Sequence, residues 1–169
     1  MIDFPFREKV VMTKLFAIGI FVILGMCNPP EARADSDEKN FKKCLVGTYL
    51  IEEGSGTRGL CEFNKDGNFT GTSSAQPLLN FSTLQGMWKQ TGKRTVKATV
   101  LDFSNDDQGN LINIARVDIL VRKDGKKCQR IEGEFSLRFF EEGEDPLKPE
   151  TDTGSPFMDL FKGQRILAH

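Results

Sequence analysis

The chain carries one histidine, His169, as its last residue. A Ser–His or Cys–His nucleophile needs an imidazole held rigidly within hydrogen-bond reach, and a chain terminus positions one poorly. Histidine-ligated metal sites are disfavoured on the same ground. Polar residues inside apolar runs are the better candidates for chemistry. Asp102 shares parity with Val96, Ala98 and Val100, while Arg116 and Asp118 share parity with Ile112, Ile114 and Leu120. The opposite face of that second run, Ala115, Val117, Ile119 and Val121, is equally apolar, so its orientation stays open. If Arg116 points inward, a buried Arg116–Asp102 pair could orient a ligand carbonyl or serve a lyase- or isomerase-type cyclisation. The plainer reading is a structural pair or outward charges, because buried charges are costly unless paired and hydrogen-bonded. Glu132, Glu134, Glu141, Glu142, Glu144 and Asp145 form an acidic stretch. It lacks EF-hand spacing and reads as a solvated face and loop rather than a Ca²⁺ site. No metal and no cofactor is expected.

The elements that must position these residues are strands. Leu111 to Phe140 holds two long runs rich in β-branched and aromatic residues on either side of Lys123-Asp-Gly-Lys-Lys127, the pattern of a β-hairpin. In the second run Ile131, Gly133, Phe135, Leu137 and Phe139 alternate with Arg130, Glu132, Glu134, Ser136 and Arg138. A period of two puts one set on a dry face and the other in water. Further strands are expected at Leu45–Ile51, Arg58–Asn64, Asn68–Ser73, Phe81–Gln90, Thr95–Phe103 and Phe157–Ile166, with a loop at Ser74–Asn80 around Pro77. Links of hairpin length, except the long acidic one at Glu141–Pro156, and the lack of a helical period predict an all-β fold. The architecture expected is an eight-stranded antiparallel up-and-down barrel, whose closure removes sheet edges. Such an interior is either packed solid or wide enough for one small ligand.

The first 34 residues read as a signal peptide. Leu15–Met26 is a continuous apolar run after Lys14, and Ala32-Arg33-Ala34 offers small residues where a signal peptidase reads, so cleavage is expected after Ala34, with Met12 an alternative start. The run is too short for a comfortable membrane span. Residues 35–44 follow as a polar segment, a tail or short helix, and 45–169 as the barrel domain. The product is expected to be exported, to the periplasm or the extracellular space. A formal charge of -1 with interspersed signs offers no basic footprint for nucleic acid. Cleavage leaves Cys44, Cys61 and Cys128 with no C-x-x-C pair, and export permits a disulfide. Strand order brings all three toward one barrel end. Cys61 shares parity with Phe63 and points inward, which favours a Cys44–Cys128 bridge over Cys44–Cys61.

Gly47-Thr48-Tyr49 opens the first strand, Gly86-Met87-Trp88 repeats a Gly-x-aromatic pattern, and Arg165 lies near the end of the last strand. This resembles the calycin superfamily, above all the lipocalins, and the small exported barrels similar to allene oxide cyclase. The resemblance implies that Gly47 and Tyr49 form the first-strand motif, with Arg165 packed across the ring at the closed end. It also implies a non-enzymatic protein that binds a small hydrophobic molecule in the barrel. Candidate pocket residues are Tyr49, Phe63, Phe69, Leu84, Trp88, Phe135, Leu137, Phe139 and Phe161. Two other readings stand beside it: a cyclase or isomerase using Asp102 and Arg116, and a secreted interaction or inhibitor protein acting through the 141–156 loop.

Overall fold

The structure, a computed structural model, describes residues 41–125, 128–148 and 154–168. The proposed leader, residues 1–34, lies outside them, as do 35–40 of the polar segment and His169. A helical turn over residues 41–45 leads into eight strands: β1 (Gly47–Glu53), β2 (Arg58–Phe63), β3 (Asn68–Ser73), β4 (Leu84–Gly92), β5 (Thr95–Asn105), β6 (Leu111–Asp124), β7 (Arg130–Phe140) and β8 (Phe157–Arg165). Each strand pairs antiparallel with the next, and β1 pairs with β8, so the sheet closes on itself. The closure register runs from Tyr49 opposite Arg165 to Glu53 opposite Phe161.

The hairpin β6–β7 pairs eleven residues, as many as β5–β6, and its register is unbroken from Ile114 opposite Phe140 to Asp124 opposite Arg130. Its alternation is realised in the first half, where Ile131 and Gly133 are buried while Arg130 and Glu132 face water, but not at the far end, where Phe139, expected on the dry face, is 53% exposed at the open end of the barrel and Phe140 is buried. At Gly133 an added Cβ would lie 2.5 Å from Phe161 Cζ, so the missing side chain is what lets that ring lie against the wall. On β6 the two apolar faces resolve in favour of Ala115, Val117 and Val121, which are buried. Arg116 and Asp118 therefore point away from the lumen.

One element differs from expectation. Residues 76–79 form a short helix, α1 (Gln76–Leu79), where a loop is expected. Pro77 sits in its first turn, where proline's missing N–H costs nothing. Asn80 ends it in the left-handed conformation at φ 50°, a position asparagine tolerates well. The chain then forms a single bridge, Phe81 to Ser104, before β4 begins at Leu84, three residues later than expected.

The up-and-down order separates two barrel ends. At one end lie the residue 41–45 turn, the β2–β3 and β4–β5 links, the start of β7 and the end of β8. At the other lie α1, the β1–β2 link and the starts of β6 and β8. The first end is plugged and the second is open.

Candidate functional site

The plug is built around Phe63. Its ring meets Tyr49, Phe69 and Trp88 edge-on, with centroids 5.9, 5.0 and 5.6 Å away. Such T-shaped pairs each contribute about 0.5–1.5 kcal/mol beyond burial. The polar tips are satisfied: Tyr49 donates its hydroxyl to the Cys128 carbonyl at 3.0 Å, and Trp88 Nε1 donates to the Asn64 carbonyl at 2.9 Å. Lys42 lies 5.7 Å from the Trp88 ring centroid.

Arg165 closes the same end. Its guanidinium carbon lies 5.8 Å from the Tyr49 ring centroid, Nη1 donates to the Cys44 carbonyl at 2.7 Å, and Nη2 donates to the Val46 carbonyl. Gly47 adopts φ +142°, and a Cβ there would come within 2.5 Å of Arg165 Nη2. Only glycine combines that backbone with that close approach. Burial raises the Tyr49 hydroxyl above its ordinary pKa, and the Arg165 charge opposes the rise. A Cys44–Cys128 disulfide ties the 41–45 turn to the start of β7 across 84 residues. Cys61 stays a free thiol; it is buried, which pushes its pKa up to about 12.

Above the plug the barrel is hollow. A cavity of about 570 Å³ opens toward the α1 end, within the range of small-molecule sites. Phe63, Phe69 and Cys61 line its floor. Leu84 of β4, Phe135, Leu137 and Phe139 of β7, and Phe161 of β8 line its walls. The structure thus brings seven of the nine candidate pocket residues to one cavity. Tyr49 and Trp88 are not among its lining: they share the inward parity but lie one level lower, in the plug. Parity assigns a face of the sheet and says nothing of height along the barrel.

Sequence reasoning overlooked a large part of the wall. Ala115, Val117, Ile119 and Val121 of β6 line the cavity, as do Ile51 and Glu53 of β1. Their signal was present. Glu53 has the parity of Tyr49 and Ile51, and the β6 set was one of two apolar faces. The rim residues Leu79 and Phe81, with Ala75, had no such signal, because they sit outside the alternating strands. Leu79 of α1, which lines the mouth, is 63% exposed.

Asp102 is the charged exception in the wall. It is 5% exposed, lines the cavity, and faces Ala115 across the β5–β6 ladder. No described residue gives its side chain a hydrogen bond or ion pair, and burial pushes its pKa up to about 6. The structure does not bring Arg116 to it. Arg116 lies opposite Leu101, on the other face, and binds Asp118 through two bonds of 2.8 and 3.0 Å. A third guanidinium nitrogen donates to the Pro146 carbonyl at 2.8 Å, and Thr99 donates to Asp118 at 2.6 Å. Burial raises the Asp118 pKa, but the hydrogen bonds from Arg116 and Thr99 outweigh it and hold the carboxyl below its usual range. The inward pair therefore gives way to an outer one, because the Ala115 face of β6 takes the interior and a carboxylate stands two residues along on the same outer face as Arg116. Glu53, at the rim, is raised by burial and by the nearby Asp159 carboxylate, against a hydrogen bond from Ser55.

The acidic stretch disperses. Glu134 lies 3.6 Å from Arg122 on the outer wall, and Asp145 pairs with Lys148 at 3.4 Å. Among the described residues no group of three or more acidic, cysteine or histidine side chains converges as a metal site. The 141–156 loop is described only in part, with 149–153 outside the described residues. No helix among the described residues is long and apolar enough to cross a membrane.

The eight-stranded closed antiparallel barrel is consistent with a calycin-like fold. No family model, no curated protein and no solved structure matches the chain. The reading of function therefore rests on this chain's own residues.

Proposed function

We propose that the protein is an exported, lipocalin-like barrel that holds one small hydrophobic molecule in its lumen. The observation that carries this reading is the cavity of about 570 Å³, walled by aromatic and aliphatic side chains and open at one end. A barrel that needed only to fold could fill this space, as solid eight-stranded barrels do. Here Gly59, Gly71 and Ala115 line the cavity without projecting a bulky side chain into it. The plug supports the same reading. Arg165 packs against Tyr49 and Gly47 at the far end, which supports the barrel-end arrangement that the lipocalin resemblance implies.

Export is supported by the leader-like first 34 residues and by the Cys44–Cys128 bridge, a cross-link that suits an oxidising compartment. We take residues 1–34 as the leader, 35–44 as the polar segment and 45–169 as the ligand-binding domain.

The experiment is a titration of the oxidised protein with a neutral fluorescent naphthalene probe, N-phenyl-1-naphthylamine. Trp88 is a poor reporter, since it lies in the plug below the cavity. Saturable one-to-one binding, weakened at least about tenfold by the wall-filling Val117→Trp variant, is the expected result. A probe that fails to bind the wild-type protein, or that binds Val117→Trp equally well, would overturn the proposal.

A further inference from the structure

We infer that the cavity selects an amphiphile bearing a protonated amine, with the cationic head seated on Asp102 and the apolar body in the lumen. This inference rests on the hydrophobic-ligand reading above and narrows it to one chemical class.

The first observation is the sign of the charges inside. Among the residues lining the cavity, the only carboxylates are Glu53 and Asp102, and no lysine, arginine or histidine is present. The arginines near this part of the wall are directed outward, as the Arg116–Asp118 pair shows. A cleft lined by one sign of charge within low-dielectric walls concentrates ligands of the other sign and repels those of its own. A fatty carboxylate would meet two like charges and no partner.

The second observation is that Asp102 is built in without a mate. It is 5% exposed, and no described side chain or backbone group donates to its carboxylate. Buried carboxylates ordinarily acquire a cation or several N–H donors from the protein. The residue across the ladder is Ala115, which leaves space beside the carboxylate rather than a donor. An acceptor that lacks donors and lines the cavity matches a group that brings several N–H bonds, which an ammonium does and a carboxylate or ether does not. Near neutral pH the Asp102 carboxyl is mostly ionised even after its rise to about 6, so the pair with an ammonium would be a charge-assisted one. Such bonds are roughly twice as strong as neutral ones.

The test displaces the naphthalene probe with three ligands of equal chain length: decylamine, decanol and decanoate, at about pH 7.5, where the alkylamine is protonated and the alkanoate ionised. The expected order is amine, then alcohol, then carboxylate, with the amine at least about tenfold tighter than the alcohol, as expected of one charge-assisted bond. In Asp102→Asn, the ratio of amine to alcohol affinity should fall to about one. Equal affinity of the wild-type protein for amine and alcohol, tighter binding of the carboxylate, or an amine preference that persists in Asp102→Asn would overturn the inference while the hydrophobic cavity stands. Should Asp102→Asn not fold, the wild-type order alone decides. If neither the probe nor any of the three ligands binds, the underlying reading of the cavity fails first, and the inference falls with it.

Discussion

Asp102 should cost the ligand-free protein stability, and the cost should depend on pH in a defined direction. Its carboxyl ordinarily titrates at 3.8 and is raised to about 6 in the fold by burial. A raised acid pKa means that the folded chain holds the proton more tightly than the unfolded chain does. Below about 3.8 both states are protonated and there is no penalty. Between about 3.8 and 6 stability falls as pH rises, because the unfolded state releases its proton first. Above about 6 the penalty is complete. A rise of roughly two units corresponds to ~3 kcal/mol, a large share of the ~5–15 kcal/mol that holds a domain together. Asp102→Asn keeps the shape and removes the charge. Its amide still lacks partners in the wall, so the net gain should be about 1–3 kcal/mol near pH 7.5 and close to zero near pH 3.5. Urea unfolding of the oxidised, ligand-free proteins measures this. With a slope of ~2 kcal/mol per molar, the variant's midpoint should exceed the wild type's by about 0.5–1.5 M near pH 7.5 and match it near pH 3.5. Comparing variant with wild type at each pH cancels the other acids. An equal difference at both pH values, or a variant less stable near pH 7.5, would refute the argument that Asp102 is ionised, buried and unpartnered.

Two further outcomes concern the plug. Arg165→Met should cost ~2–4 kcal/mol, seen as a lower thermal midpoint, because it strands the Cys44 and Val46 carbonyls and removes the cation from the Tyr49 ring. Arg165→Lys should recover only part, since a point-charge ammonium cannot reproduce the forked donor; full recovery would show that the fork is unimportant. Replacing both Cys44 and Cys128 with alanine should lower stability by ~2–5 kcal/mol, as expected for a bridge closing a long loop. An unchanged midpoint would mean that the bridge is dispensable.

Much of this fold was legible from local pattern. The strict alternation in Arg130–Phe140 and the Asp66-Gly67 and Asp124-Gly125 turns specify strands, faces and links, and eight such strands with short links specify closure. The Cys44–Cys128 bridge followed from strand order, which gathers three cysteines at one end, together with the inward parity of Cys61. The candidate site was legible only in part, for three physical reasons. β6 is apolar on both faces, so nothing local tells Arg116 from Val117 as the inward residue; pairing with β5 and β7 decides it. Alternation also carries no information on depth, so Tyr49 and Trp88 looked like lumen residues though they pack on Phe63 in the plug. Last, α1 and Phe81 reach the mouth through tertiary placement, and a four-residue helix starting at a proline leaves little periodicity to read.

In the function proposed here the ligand lies inside the barrel, on the inner face of the wall. Intermolecular NOEs from a bound, isotope-unlabelled decyl chain to the methyl groups of the labelled protein test it most directly. Contacts are expected to Val117, Ile119, Val121 and Leu137, which face the lumen. Contacts confined to outward methyls such as Leu50, Met87 and Leu160, or none at all, would contradict it.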